Sequence, residues 1–124
     1  MKSITLAAVL FVLACSAVAE QDRSGGVLLK GCRLALAHEQ PDLVGAIDAG
    51  YCYGFVNASW SAMEVDKVLF KDGKYCYAEV VHTQQLVRIL VKWLEDHPAK
   101  LPEDAYGLVL EAFVDAFPCE AKPK

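Results

Sequence analysis

The sequence lacks the short motifs that carry most enzyme chemistry. It contains no C-x-x-C pair, no H-E-x-x-H zinc motif, no G-x-S-x-G nucleophile turn and no phosphate-binding loop. His38, His82 and His97 are scattered, whereas a metal site needs three or four converging ligands. Asp48 and Glu64 could do acid–base work, but Asp48 is better interpreted as a surface-facing helix residue. We therefore predict that the protein is not an enzyme and holds neither a metal nor a cofactor.

Basic residues are also scarce. The 124-residue chain has 12 Lys and Arg against 16 Asp and Glu, for a formal net charge of −4. Nucleic acids and anionic membrane surfaces attract the opposite balance of charge, so both are poor candidates for a ligand. An acidic surface instead favours a basic protein partner. The length allows one domain.

The N-terminus has the features of an export signal. Lys2 precedes an almost wholly apolar run over residues 4–14, and Ala17-Val18-Ala19 fits a cleavage site of small residues. This segment is too short to span a membrane, so we predict a signal peptide over residues 1–19. Cleavage removes one charged residue, Lys2, and moves the net charge of the remainder to −5.

Residue 15 allows a second interpretation of the same segment. Val12-Leu13-Ala14-Cys15 is similar to a lipobox, in which Cys15 would become the lipidated first residue of a membrane-anchored lipoprotein. Under this alternative the protein would be an accessory subunit held at the membrane. Simple cleavage after Ala19 is the preferred interpretation.

Apolar residues recur at helical spacing along the chain and nowhere alternate as in a strand. We predict an all-α fold, a compact bundle of about four helices over residues 27–40, 43–63, 83–97 and 102–117. Thr83 is the expected N-cap of the third helix. The expected domain spans 27–119, between a flexible leader over 20–26 and a tail over 120–124.

The second predicted helix is apolar on most sides, which indicates a central, largely buried position. It contains Gly45, Gly50 and Gly54. These either let neighbouring helices approach closely or simply leave the helix loosely wound. Trp60 and Trp93 are expected to be core anchors.

Five cysteines are present, and Cys15 falls within the predicted signal. The remaining four are expected to form two disulfides, because an even number in a short exported chain indicates a disulfide framework. Three pairings are possible. Antiparallel neighbours would bring Cys32 toward Cys52 around Pro41, and Cys76 toward Cys119, which favours these two pairs.

Several segments together resemble the Rap/Tai family of immunity proteins of type VI secretion systems. The resemblance covers about residues 28–119 and is carried by four segments in this order: Tyr51-Cys52-Tyr53-Gly54-Phe55-Val56-Asn57-Ala58, Tyr75-Cys76-Tyr77, Trp93-Leu94-Glu95-Asp96-His97-Pro98 and Ala116-Phe117-Pro118-Cys119. Any one of these segments alone would be weak. Their order along the chain makes the resemblance fairly specific.

The resemblance implies a periplasmic, helical and often dimeric protein. Its relatives protect a bacterium from injected peptidoglycan-cleaving amidase effectors, by binding the effector and blocking its active-site cleft. The positions that carry the resemblance are implied to be mostly scaffold: Cys32, Cys52, Gly54, Cys76, Pro98 and Cys119.

Related inhibitors fill the cleft with a protruding loop or helix end. The segment of this chain that matches that role is polar and carries mixed charged and aromatic residues: Asp66, Lys67, Phe70, Asp72, Gly73, Lys74 and Tyr75. The alternative for the same segment is a plain connecting loop, and the binding role is the preferred interpretation. For the protein as a whole, the alternatives are a periplasmic holdase or acid-stress chaperone, or an orphan envelope binding protein.

Overall fold

The computed structural model describes residues 22–69 (of 67–69 the backbone), residue 76 and residues 81–119. Within these residues the fold is all-α and has four α-helices. They are α1 (Gly25–Ala35), α2 (Leu43–Leu69), α3 (Thr83–Asp96) and α4 (Ala105–Ala116), with a short 3-10 turn, Pro98–Lys100, between the last two. The predicted helical bundle is therefore confirmed.

The first helix begins two residues earlier than its apolar pattern predicts. Ser24 is the N-cap, and its hydroxyl accepts a hydrogen bond from the amide of Val27. The amides of Gly25 and Gly26 donate to the carbonyls of Glu103 and Leu101. These bonds tie the start of α1 to the segment that precedes α4.

The first two helices approach each other closely at Gly31 of α1. Of the predicted glycines of α2, Gly45 is buried, and a Cβ added there would lie 3.7 Å from Leu34 of α1, whereas Gly50 and Gly54 have no such neighbour. A Cβ atom added to Gly31 would lie 2.6 Å from the backbone oxygen of Asp48. Cys32, the next residue, and Cys52, one turn beyond Asp48, are fully buried and bonded, with sulfurs 2.04 Å apart. The hairpin pairing predicted from the sequence is thus confirmed at this end of the bundle.

Gly31→Ala is expected to lower the free energy of unfolding by about 1–2 kcal/mol, the cost of overpacking less the gain in helix propensity. Gly107→Ala is the matched control, because no described atom lies within 4 Å of a Cβ added there. It should leave stability unchanged or raise it. Urea unfolding measures both, and equal effects of the two variants would show that Gly31 is not a close-approach position.

The core lies between the inner faces of all four helices. Phe113 is the largest fully buried side chain, and Trp60 meets it edge to face with ring centroids 5.6 Å apart. Phe117 also packs against Trp60, with ring centroids 5.4 Å apart. The prediction of Trp60 as a core anchor is confirmed.

The two later helices begin differently. The carboxylate of Asp104 caps α4 by accepting hydrogen bonds from the amides of Tyr106 and Gly107. The predicted cap of α3 is wrong, because Thr83 is the first helical residue and His82 precedes it without a side-chain cap bond. The Thr83 hydroxyl instead lies 3.3 Å from the amide oxygen of Asn57 on α2.

A second disulfide joins Cys76 to Cys119, as predicted. Unlike the first, it lies at the surface, with both cysteines exposed. The amide of Cys76 also donates to the carbonyl of Phe117 over 3.1 Å. The chain before α3 is therefore fastened at this point to the end of α4.

In the part of the chain that the structure describes, no helix is both long and apolar enough to cross a membrane.

Candidate functional site

One face of α2 is exposed along almost the whole helix. Leu43, Ile47 and Val65 are 79%, 62% and 56% exposed. We call this face the α2 stripe and define it by seven exposed residues: Leu43, Ile47, Gly50, Gly54, Ala58, Ser61 and Val65. They recur every three or four positions and so share one side of the helix.

The α2 stripe is apolar apart from Ser61, has small residues in its middle and contains no charged side chain. No described atom lies within 4 Å of a Cβ added to Gly50 or Gly54, so helix backbone is open to solvent there. Val44, beside the stripe, is 63% exposed. Such a continuous exposed apolar surface on a water-exposed helix is typical of an interaction site.

The predicted burial of α2 is therefore wrong for this face. The opposite side of the helix does enter the core, through Cys52, Val56 and Met63. The other described helices cover that side only, which leaves the stripe without a partner in the described chain. Neither alternative for the glycines describes Gly50 and Gly54. No neighbouring helix approaches these two residues, so they do not serve close packing, and the helix is continuous through them, so it is not loosely wound there.

A second surface feature is a groove of about 440 Å³ between α3 and α4. Ile89, Trp93, Ala112 and Ala116 form its apolar floor, and charged side chains form its rim. The groove exists because α4 presents alanines at this point. It could receive an apolar side chain from a partner, but its rim charges are mostly engaged within the chain.

Trp93 lies at this groove and is held by polar neighbours. Its indole N–H donates to a carboxylate oxygen of Asp115 over 2.8 Å. Its ring stacks on His97 at 4.1 Å between centroids, and the Lys100 ammonium lies 5.8 Å from its ring centre. Trp93 is half-buried, so it borders the core rather than anchoring it.

Ion pairs connect the helices at the surface. Lys30 on α1 pairs with Asp48 on α2 at 2.9 Å, and the hydrogen bond from Lys30 raises the pKa of its own ammonium. Arg33 pairs with Glu95 across α1 and α3 at the same distance. Exposed pairs of this kind contribute little to stability. Asp48 is thus a paired and partly exposed helix residue, which agrees with its interpretation as surface-facing.

Among the described residues, no three His, Cys, Asp or Glu side chains converge as metal ligands. The three histidines lie apart. His97 bonds through Nδ1 to the carbonyl of Trp93 at the end of α3. The described surface carries two features that a partner could contact, the α2 stripe and the α3–α4 groove.

The family model of the Rap1a immunity proteins matches residues 24–119, which is the whole described bundle with both disulfides. The chain belongs to the Rap1a immunity protein family. No curated protein matches it. Membership identifies the chain as an immunity protein, whose role is to bind an effector, and points to an inhibitor rather than an enzyme. The family resemblance inferred from the sequence is confirmed.

Most of the family-like positions act as scaffold in this Rap1a-family chain. Cys32 and Cys52 join α1 to α2, Cys76 and Cys119 fasten the chain before α3 to the end of α4, and Pro98 opens the 3-10 turn. Gly54 is different. It lies at the centre of the α2 stripe and contacts no described residue through the position of its missing side chain.

Most of the predicted partner-binding loop cannot be compared with the structure. Asp66 and Lys67 belong to the last turns of α2. The remaining five residues lie outside the described residues: Phe70, Asp72, Gly73, Lys74 and Tyr75. Their role stays a prediction.

Sequence reasoning missed the α2 stripe although its signal was present. The stripe residues are apolar or small and follow one another at helical spacing, which was interpreted as burial. The size of the side chains on this face could have distinguished an exposed face from a buried one. A helix face with Gly50, Gly54 and Ala58 at its centre has little side-chain volume to contribute to a core.

Proposed function

We propose that this Rap1a-family protein is a periplasmic immunity protein of a type VI secretion system. It binds a peptidoglycan amidase effector, occludes the active-site cleft of that enzyme, and so protects the producing cell and its siblings. The observation that carries the proposal is the family match over residues 24–119, which spans the entire described bundle.

The rigidity of the bundle supports binding by a preformed surface. Two disulfides cross-link it, and a core centred on Phe113 fixes its helices. A rigid inhibitor loses little conformational freedom on binding, which favours affinity. Disulfides also fit an oxidising compartment such as the periplasm. Export would follow from the predicted signal peptide, with cleavage near Ala19; lipidation at Cys15 is the minority alternative.

The effector contact in this proposal is the segment that follows α2. Asp66 and Lys67 lie in the last turn of that helix, and Cys76 beyond it is fastened to Cys119, so both ends of the segment are anchored on the bundle. An anchored loop with charged and aromatic residues suits insertion into a cleft. A net negative inhibitor would also associate faster with a basic effector at low salt.

Phe70→Ala and Tyr75→Ala are each expected to weaken effector binding by about tenfold or more, because aromatic anchors dominate interface energies. Calorimetric titration of the cognate amidase with each oxidised variant measures the change. Amidase activity on isolated peptidoglycan gives an independent measurement of inhibition.

Tyr106→Ala is the control for these variants. Tyr106 is an exposed aromatic residue on α4, 43% exposed and outside the loop, so its removal should leave affinity unchanged. Full inhibition by both loop variants would contradict the loop assignment. Absence of any inhibition by the unaltered protein would contradict the proposed function itself.

A homodimer is the second part of the proposal, beside the effector complex. The family resemblance suggests it, and the exposed apolar face of α2 supports it.

A further inference from the structure

The two disulfides differ in their access to reagents. Cys32 and Cys52 lie in the core, and both are 0% exposed. Cys76 and Cys119 are bonded to each other at the surface, where both are exposed. A disulfide is opened by a thiolate that attacks one of its two sulfurs. In the folded protein the bond between Cys76 and Cys119 is therefore the one within reach of such a reagent.

The exposed bond lies outside the helical framework. Cys76 precedes α3 and Cys119 follows α4, so neither cysteine belongs to a helix. Two residues before Cys119, the half-buried ring of Phe117 packs on Trp60, and this contact does not require the bond. Opening of the bond therefore releases chain at the surface and leaves the core of the bundle packed.

The bond holds the connection between α2 and α3 on the end of α4. One hydrogen bond accompanies it there, from the amide of Cys76 to the carbonyl of Phe117 over 3.1 Å. A single hydrogen bond at the surface contributes little, because water competes for both of its groups. The disulfide is therefore the contact that fixes residue 76 beside α4.

We propose that Cys76–Cys119 is a site of thiol–disulfide exchange with dithiol proteins of the cell envelope, and that its opening lowers the affinity of this protein for its effector. A thiolate of the dithiol attacks one sulfur of the bond and forms a mixed disulfide, and the other cysteine leaves as a thiolate that takes up a proton. The second thiol of the dithiol then closes its own disulfide and releases the remaining cysteine. Two electrons have passed to the chain, which now carries two thiols, and the dithiol has been oxidised.

The effect on the effector rests on the proposed function, in which the segment after α2 makes the contact. With the bond closed, residues 70–75 lie in sequence between two attached points, the end of α2 and Cys76. With the bond open, the next attached point in the described chain is Val81, which packs on the core, so the connection nearly doubles in length. Chain entropy grows with the logarithm of length, and a doubling lowers the population of any one loop conformation about threefold.

Both states of the bond belong to the path that the sequence predicts for this protein. The chain is made in a reducing compartment, where cysteines stay as thiols, and the predicted signal peptide over residues 1–19 directs it to an oxidising one. The bond therefore forms after export, in the compartment where the effector would cleave peptidoglycan. Dithiols of the same compartment can open it again.

Timed reduction of the oxidised protein, purified from the cell envelope, tests the chemistry. Samples treated with dithiothreitol are quenched at intervals with an alkylating reagent, and the labelled cysteines are located by mass spectrometry. Label at Cys76 and Cys119 should appear at least about ten times faster than label at Cys32 and Cys52, because the buried bond reacts only after the helices part. The circular dichroism of the helices should stay unchanged while only the exposed bond is open.

Calorimetric titration of the cognate amidase tests the consequence. The double variant Cys76→Ser and Cys119→Ser lacks the bond at nearly unchanged side-chain size, and it should bind about three- to tenfold more weakly than the oxidised protein. Unaltered protein that is reduced and then reoxidised with oxidised glutathione should regain full affinity. Pro118→Ala is the matched control, because it changes an exposed neighbour of Cys119 and leaves the bond in place, so its affinity should be unchanged.

Three results would overturn the inference. Equal rates of reduction at the two bonds would show that exposure does not select Cys76–Cys119. Loss of helix when this bond opens would make it part of the framework. Equal affinity of the double serine variant and the oxidised protein would separate the bond from the effector contact. Failure of the oxidised protein itself to bind the amidase is a different result, which contradicts the proposed function and removes the regulatory role with it.

Discussion

Phe113→Ala is expected to lower the free energy of unfolding by about 3–5 kcal/mol. Phe113 is the largest fully buried side chain and packs edge to face with Trp60. Its removal loses the transfer free energy of a ring and leaves a cavity beside Trp60, between α2 and α4. Chemical unfolding followed by circular dichroism measures the change.

Phe55→Ala is the control for this prediction. Phe55 carries the same side chain on α2 but is only half-buried, and its ring centroid lies 5.5 Å from that of Tyr51. Its loss should cost clearly less, because its site stays open to water. If the two variants are equally destabilised, the core is not centred on Phe113.

Replacing both Cys32 and Cys52 by alanine is expected to lower the free energy of unfolding by about 3 kcal/mol through chain entropy, and by about 1 kcal/mol more through lost packing. The bond closes a separation of 20 residues, and both sulfurs are fully buried. Chain entropy alone predicts that replacing Cys76 and Cys119, whose separation is 43 residues, lowers the free energy of unfolding slightly more. Packing reverses that order, because Cys76 and Cys119 are exposed.

The double variant Cys76→Ala and Cys119→Ala provides the comparison. Thermal unfolding of both variants should show the lower midpoint for the loss of Cys32–Cys52. Limited treatment with a thiol reductant, followed by alkylation and mass spectrometry, should open Cys76–Cys119 first, since attack requires access to sulfur. Earlier opening of the buried bond would contradict the burial described for α1 and α2.

Chain order favoured the observed disulfide pairing among the three possible ones. In a hairpin of antiparallel helices the start of the first helix lies beside the end of the second, which brings Cys76 near Cys119, and positions on either side of the turn at Pro41 bring Cys32 near Cys52. The caps were less predictable. Thr83 and Asp104 both precede apolar runs, and only contacts between helices decide that Asp104 caps α4 whereas Thr83 faces Asn57.

The position of α2 could not be predicted from its own sequence. Periodicity shows which residues share a face, but it does not say how many neighbours surround the helix. In the described chain, the other helices cover the side with Cys52 and Val56 and leave the side with Leu43 and Ile47 open. The half-buried position of Trp93 has a similar cause, since alanines on α4 leave space above it.

We propose that this Rap1a-family protein inhibits a peptidoglycan amidase effector. The most direct measurement is capture of partners by the oxidised protein from lysate of its own bacterium, followed by an assay of the captured protein on peptidoglycan. We expect a single stoichiometric partner with a Cys/His amidase sequence, and its cleavage of peptidoglycan should stop when an equimolar amount of the protein is added. Capture of many unfolded envelope proteins, or a partner whose activity is unaffected, would contradict it and favour a holdase.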